Sequence, residues 1–296
     1  MIKEFIDLLF LSLTYMTPLV LAAIGEIVTE KSGIVNIGIE GIMLFAAFSA
    51  TVVTFFTGNP FFGVLIGTVL GGLLGLVHGI ISIYLRGDQI IAGIGLNILA
   101  YGATAVGLIS IWGNFGSSPF VAKIPKIVVY NRYISPLTIS SIIIAIVFWW
   151  VLSRTAIGLK IRACGESPHA AEAMGVNIWL VRLGSTIVGG SLSGLAGAYM
   201  SIDLVGQFSR GITAGRGFIA LANVVFSNWN PLLTILGGFV FGFFDALAAY
   251  LDIIVQSIAL TYIFKIIPYA STLIVVTAFI GKSKPPADLG KPYFKE

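Results

Sequence analysis

The stretch GTVLGGLLGLVHG at residues 67–79 is almost entirely apolar and carries a glycine at every fourth position. A second stretch, GGSLSGLAGAYM at residues 189–200, combines small and apolar residues in a similar way. In lipid, helices gain little from hydrophobic association and pack closely through small residues, so both stretches are typical of transmembrane helices that contact a neighbour. A β-barrel is the weaker interpretation, because barrel strands alternate apolar and polar residues.

The composition extends this interpretation to the whole chain. Hydrophobic residues make up 57% of the sequence, charged residues 10%, and the mean hydropathy is +1.00, whereas soluble domains carry about 25% charged residues. Since one crossing needs about 20 apolar residues, we predict an all-α polytopic transmembrane helical bundle of about eight to ten spans. The predicted spans are 5–27, 33–56, 60–85, 89–112, 136–154, 178–203, 216–228, 231–251 and 268–281, with 253–266 as a partial span.

We expect one transmembrane domain over residues 1–281, followed by a basic cytoplasmic tail at 282–296. Short loops rich in Lys and Arg remain in the cytoplasm, which places the loop at 155–177 inside the cell. Counting spans then puts 113–135 and the N-terminus outside. The net charge of +4 suits an anionic membrane surface, and nucleic acid is a poor partner for so apolar a chain.

Residues 33–85 and 211–251 look like two copies of one unit. Each has a glycine-rich entry, an apolar run, an Asn-Pro turn (59–60 and 230–231) and a glycine-spaced helix. On the span count the two turns face opposite sides, which predicts an inverted internal repeat. Transporters of that construction place their substrate site near the bilayer midplane. Chance similarity between glycine-rich apolar segments is the alternative.

The stretch ESPHAAEAMGV at residues 166–176 carries the signals of a short helix outside the membrane. Ser167 is suited to cap the first turn, and Pro168 occupies the first helical position, where its missing N–H costs nothing. Gly175 stands where a left-handed residue would end the helix. A surface helix that merely closes a loop is the plain interpretation.

Four stretches carry a resemblance to a known family: EKSGIVNIGIEGIMLFAAF (30–48), DQIIAGIGLNIL (88–99), IGLKIRACGESPHAAEAMGVN (157–177) and GRGFIALANVVFSNWNP (215–231). They resemble the permease subunits of bacterial and archaeal ABC importers of the ribose-type (BPD_transp_2-like) family, in its branch for nucleosides and simple sugars. The resemblance covers almost the whole chain. The departure lies in NVVFSNWNP, where the branch usually has FG and a basic residue, so Asn223 and Ser227 are altered positions.

The resemblance implies a multi-pass permease in the plasma membrane of a prokaryotic cell, working by alternating access. The sequence lacks the phosphate loop G-x-x-x-x-G-K-[ST], so ATP and Mg²⁺ would bind a partner ATPase and this chain would bind no cofactor. The implied partners are ABC ATPase subunits, a second permease subunit (a paralogue or a second copy), an extracytoplasmic substrate-binding protein and membrane lipid. The residues implied to couple the permease to the ATPase are Glu166, Ser167, Pro168, His169, Ala170, Ala171, Glu172, Ala173, Met174 and Gly175.

Five residues are candidates for the substrate pathway. A carboxylate in the bilayer is costly, so Glu40 contacts substrate, or else bonds to Asn36 one turn earlier or to a neighbouring helix. Asn97 is suited to bind a ribose hydroxyl or base edge, or to join two helices. Arg216 gates the outer entry or reaches the headgroups, and Phe218 stacks on a base or packs in lipid.

Enzyme chemistry has no support in the sequence, which shows no catalytic triad, no paired carboxylates and no metal site. The single Cys164 excludes an internal disulfide, and His78 is a core residue without metal-spaced partners. Asp203 and Asp245 have no obvious basic partner, which favours hydrogen-bonded structural roles. Nucleosides are the expected substrate; a simple-sugar or branched-chain amino-acid permease is the alternative, and a proton-coupled carrier would need a titratable acid pair that we do not find.

Overall fold

The computed structural model describes residues 2–129, 132–255, 258–279 and 283–294. Within these residues seven helices are long and apolar enough to cross a membrane, which confirms the all-α prediction. The long helices are α1 (Ile2–Lys31), α2 (Ile39–Thr57), α3 (Pro60–Gly79, continued by a π-helical turn Ile80–Tyr84), α4 (Gln89–Trp112), α5 (Pro136–Arg154), α8 (Ile178–Ala198, continued by a π-helical segment Tyr199–Val205) and α10 (Leu233–Val255).

The remaining elements are short. They are the hairpin β1 (Ile127–Val129) and β2 (Arg132–Ile134), and the helices α6 (Ala156–Glu166), α7 (Pro168–Ala173), α9 (Arg216–Phe226), α11 (Ile258–Phe264) and α12 (Ile267–Phe279). Of these, α9, α11 and α12 occupy the predicted spans 216–228, 253–266 and 268–281, each shorter than a full crossing.

The predicted span 33–56 begins too early. The chain is not helical between α1 and α2, and it enters this connection at Gly33 with φ +98°, a conformation that L side chains rarely adopt. Residues 32–38, called here the entry segment, therefore form a mostly buried non-helical connection between two long apolar helices.

The two small-residue stretches of the sequence are the facing surfaces of one helix pair, α3 and α8. A Cβ added at Gly194 of α8 would lie 2.6 Å from the Gly67 carbonyl oxygen and 2.8 Å from the Gly71 Cα. Only glycine permits this approach of the two backbones, in agreement with the packing expected between helices in lipid.

The internal repeat is visible in the turns and in the packing. The Asn59 side chain accepts a hydrogen bond from the Phe61 N–H at 3.0 Å, and the Asn230 side chain accepts one from the Leu232 N–H at 3.0 Å. Helix α3 packs along α8, and α10 packs along α1. Exchanging α1 with α8, α2 with α9 and α3 with α10 therefore reproduces the arrangement.

The repeat is inverted, because α2 and α9 touch at their first turns and run to opposite sides. The far end of α2 lies beside the end of α4, where the rings of Phe55 and Trp112 are 5.6 Å apart. The far end of α9 lies beside the end of α1, where the Trp229 indole donates to Glu30. The end of α1 also adjoins the start of α4, because Val35 of the entry segment, which follows α1, bonds Gln89 at the start of α4. The far ends of α2 and α9 therefore lie beside opposite ends of α4.

Candidate translocation pathway and coupling helix

The entry segment is held by buried polar side chains from several helices. Irregular backbone is tolerated at membrane depth only where the protein satisfies its N–H and C=O groups. The bonds are Asn36 N–H to Glu26 (2.8 Å), Val35 N–H to Gln89 (2.8 Å), His78 to the Val35 carbonyl (3.0 Å) and Asn97 to the Ile37 carbonyl (3.0 Å). These buried polar side chains therefore satisfy the backbone N–H and C=O groups of the entry segment. His78 has the core role expected from the sequence.

Asn36 and Asn97 both bond to backbone where the entry segment passes into α2. Asn97 uses both ends of its amide, since its oxygen accepts from the Gly41 N–H at 2.7 Å while its nitrogen donates to the entry segment. Asn36 accepts from the Gly38 N–H at 3.0 Å. For Asn97 these contacts correspond to the helix-joining alternative.

Glu40 lies at the junction where the first turns of α2 and α9 meet, and these two helices are called here the half-helices. Its carboxylate receives the donors at the start of α9. Oε1 accepts from the Thr213 hydroxyl at 2.6 Å and the Gly215 N–H at 2.8 Å, and Oε2 accepts from the Gly217 N–H at 2.7 Å. The Tyr101 hydroxyl lies 3.4 Å away. A carboxylate at a helix N-terminus is favourable because the orphan N–H groups and the helix dipole attract negative charge. The partner of Glu40 is thus a neighbouring helix.

Arg216, the first residue of α9, forms an ion pair with Asp245 of α10. The Arg216 Nε lies 2.8 Å from the Asp245 carboxylate, and the guanidinium stands 5.6 Å from the centre of the Tyr15 ring. The sequence-based statement that Asp245 lacks a basic partner is therefore wrong. It is also wrong for Asp203, which accepts a hydrogen bond from Ser135 and has Lys126 at 3.8 Å.

A cavity of about 340 Å³ opens beside this ion pair. One wall carries Tyr15, Arg216 and Asp245, and Tyr269 of α12 borders it while its hydroxyl donates to the Ala214 carbonyl at 2.6 Å. Asp252, Thr261 and Lys265 line it as well. Arg216 therefore lies at the junction of the half-helices, beside a cavity with aromatic and charged walls. Phe218 stands two residues further on, with 48% of its surface exposed.

Sequence reasoning missed two buried acids of α1, Glu26 and Glu30. They stand one helical turn apart; Glu26 accepts from the Asn36 N–H, and Glu30 accepts from the Trp229 indole. The sequence did carry a signal for this pair: two acids four residues apart in an apolar span lie on one helix face, and that face is expected to point to the bundle interior. A proton-coupled carrier would need such a pair of acids. Here, however, the two carboxylates accept hydrogen bonds that join the entry segment and the segment after α9 to α1.

The short helix predicted at 166–176 exists as α7. Pro168 occupies its first position, and Gly175 ends it with φ +82°, both as predicted. The predicted cap is wrong: the Ser167 side chain makes no capping hydrogen bond. Ser167 also ends α6, so its backbone, at φ −154° and ψ 88°, serves the junction of two helices.

One face of α7 packs on the protein and the other is open. Pro168 and Ala171 are buried, and Ala171 belongs to a cluster with Cys164, Ile178 and Tyr293. Exposed residues form the opposite side; these are Glu166, Ser167, His169, Ala170, Ala173, Met174 and Gly175, while Glu172 is half-buried and accepts from the Tyr293 hydroxyl. The side chains of the open face are small apart from Glu166, His169 and Met174.

Cys164 lies under this helix with no exposed surface. Burial raises the pKa of its thiol to about 11, although the nearby Arg182 opposes the change. Since the thiolate is the reactive form, the folded protein protects this cysteine from thiol reagents at neutral pH.

Comparison with known proteins places these features in a family. Residues 8–276 match the family described as branched-chain amino acid transport system / permease component. The nucleoside ABC transporter permease protein NupC of Lactococcus lactis is 34% identical, over 96% of this chain and 95% of that protein. The guanosine ABC transporter permease protein NupQ of Bacillus subtilis is 32% identical over the same shares. The "Putative glucose ABC transporter permease protein TsgC13" of Haloferax volcanii is 34% identical, over 78% of this chain and 73% of that protein.

These comparisons confirm the resemblance found in the four sequence motifs. The family consists of transport permeases rather than enzymes, and permeases of ABC systems work with an ATPase and a substrate-binding protein. The apolar helices and the relatives together make this a multi-pass plasma-membrane protein. The chain belongs to the branched-chain amino acid transport system / permease component family and is a permease subunit of an ABC importer.

Proposed function

We propose that this permease imports nucleosides. The supporting observation is that relatives named for nucleosides and for guanosine align with nearly all of the chain at 34% and 32% identity. Alternating access would expose the substrate path first to the extracytoplasmic binding protein and then to the cytoplasm, driven by the partner ATPase.

The cavity beside Arg216 is our candidate for part of the path. Its volume of about 340 Å³ lies at the small end of the range of about 300–1,000 Å³ for small-molecule sites. The rings of Tyr15 and Tyr269 offer stacking surfaces to a base, and the Arg216–Asp245 pair offers donors and acceptors to base edges and ribose hydroxyls. Phe218 remains a candidate for stacking on the exposed side of α9.

The polar residues at the start of α2 have a second part in this proposal. Asn36, Asn97 and Glu40 fix the junction of the half-helices from which Arg216 projects. They shape the path without binding the substrate themselves. Displacement of α7 by the ATPase moves the inverted halves against each other, and a second permease subunit, a paralogue or a copy, completes the path within the lipid.

A sugar is the second candidate substrate, because the relative named for glucose is as similar, at 34% identity, over a smaller part of the chain. A sugar lacks the nucleobase, so uptake of labelled glucose without uptake of guanosine would favour a sugar. This difference separates the two candidates.

The test replaces one ring in vesicles that carry the complete transporter. Tyr15→Phe keeps the ring beside Arg216 and serves as the matched control, and Tyr15→Leu removes it. We expect labelled guanosine uptake to fall roughly tenfold in Tyr15→Leu and little in Tyr15→Phe, since stacking on one base contributes about 1–3 kcal/mol. Equal guanosine uptake by both variants would remove the cavity from the path.

A further inference from the structure

Within the predicted basic tail, residues 283–294, called here the C-terminal strap, are docked on the protein. It attaches at four separated places on the predicted cytoplasmic face. The bonds are Lys284 N–H to the Asn228 side chain (2.8 Å), Asp288 N–H to the Gly165 carbonyl (2.8 Å), Gly290 N–H to the Gly33 carbonyl (3.0 Å) and the Tyr293 hydroxyl to Glu172. The strap thus touches the segment after α9, the end of α6, the entry segment and α7.

The buried guanidinium of Arg182 bonds to three elements: the strap, the entry segment and α6. The Arg182 side chain of α8 is 2% exposed and pairs with Asp288 of the strap at 2.8 Å. It also donates to the carbonyls of Ser32 (3.0 Å), Lys291 (3.2 Å) and Cys164 (3.2 Å). A buried charge left without its partner is strongly destabilising, so Arg182 holds the entry segment, α6 and the strap in one fixed arrangement.

The strap also packs against α7 at its buried side and at His169. The Tyr293 ring packs in the cluster that contains Ala171, with centroids 5.4 Å from His169 and 5.9 Å from Trp179. Without the strap, the six-residue α7 would rest on the bundle through little more than Pro168 and Ala171.

Contacts run without interruption from α7 to the junction of the half-helices. Glu172 of α7 bonds Tyr293, and the strap bonds Gly33 through Gly290. The entry segment then continues into α2, where Glu40 receives the first N–H groups of α9.

We infer that the C-terminal strap is a positioning element that fixes α7 to the entry segment, so that displacement of α7 reaches the junction of α2 and α9. Tyr293 and Asp288 are its positioning residues. The inference rests on the proposed role of α7 as the helix that docks to the ATPase. A loose α7 would move under the ATPase without moving the half-helices, so ATP would be hydrolysed without transport.

The decisive variant is Tyr293→Phe, which removes one hydroxyl and keeps the ring in its cluster. Lys291→Ala is the matched control, because the Lys291 ammonium bonds within the strap, to the Ala287 carbonyl. Both are assembled with the ATPase and binding protein in vesicles, and substrate taken up per ATP hydrolysed is measured. We expect this ratio to fall about fivefold in Tyr293→Phe, the factor that one lost hydrogen bond produces in an equilibrium, and to stay unchanged in Lys291→Ala.

A second comparison tests whether the contact itself matters. Glu172→Leu removes the acceptor, and if the contact acts as one unit the double variant with Tyr293→Phe is no worse than Glu172→Leu alone. A merely structural strap would lower assembly and ATP hydrolysis together and leave the ratio intact. An unchanged ratio in Tyr293→Phe, with wild-type coupling present, overturns the inference. Absence of ATP-coupled uptake in the wild type would instead overturn the proposed function.

Discussion

Replacing Glu40 with Gln tests the junction at which the inverted halves meet. The carboxylate uses both oxygens, Oε1 for Thr213 and Gly215 and Oε2 for Gly217. Gln keeps one acceptor oxygen. Its NH₂ group replaces the other oxygen and cannot accept from the donor groups that the replaced oxygen served. One lost hydrogen bond to a charged group costs about 1.5–3 kcal/mol, and the lost charge at a buried helix N-terminus costs up to about 2 kcal/mol. We expect Glu40→Gln to destabilise the protein by about 3 kcal/mol.

The assay uses the single buried cysteine. Cys164 becomes reactive when the protein unfolds, so a thiol-reactive fluorophore at neutral pH reports the unfolding temperature during heating. At about 2–4 °C per kcal/mol for chains of about 150–250 residues, Glu40→Gln should lower that temperature by roughly 6–12 °C, and it should also slow uptake.

Asp88→Asn is the matched control for Glu40→Gln. A single oxygen of Asp88 caps α4, accepting from the N–H groups of Ile90 and Ile91 at 2.9 Å. Asn keeps that oxygen and caps helices about as well as Asp, so we expect a change of less than about 2 °C. Unfolding temperatures that are equal for wild type and Glu40→Gln would refute the reasoning about the junction.

Three further predictions follow from the described geometry. Arg at Ala170 and Ala173, on the open face of α7, should leave insertion intact but uncouple ATP hydrolysis from uptake; normal uptake by the double variant would show that this face does not dock. Asn97→Leu should lower the unfolding temperature at least as much as it lowers uptake, because it removes one bond to α2 and one to the entry segment; lower uptake at unchanged stability would instead indicate direct substrate binding. Single cysteines at Asn59 and Asn230, in a background without the native cysteine, should be labelled from opposite sides of the membrane, and labelling from one side would contradict the inverted repeat.

Local signals predicted the parts of the structure that depend on neighbouring residues. The glycine spacing of 67–79 marked a helix face, and the structure places Gly67 and Gly71 against α8. Pro168 and Gly175 marked both ends of α7. Each signal acts within one or two turns of chain, where backbone sterics decide the outcome.

Long-range hydrogen bonds lay beyond sequence reasoning. The strap has the Pro- and Lys-rich composition of a solvated tail, and its docking depends on Arg182, about a hundred residues earlier in the chain. The donors of Glu40 come from the start of α9 and the loop before it, more than 170 residues away. The helical period of α7 also did not predict that Ala171 is buried. The arginine substitutions that test docking are therefore made at Ala170 and Ala173 only.

Uptake by the complete reconstituted transporter tests the central claim most directly. Vesicles that contain this permease with its ATPase and binding protein receive labelled guanosine, glucose or leucine, with ATP or a non-hydrolysable analogue on the ATPase side. Nucleoside import predicts that guanosine accumulates with ATP and not with the analogue, and that excess glucose or leucine does not compete. Accumulation of glucose or leucine without guanosine, or guanosine uptake driven by a proton gradient in the absence of ATP, would contradict it.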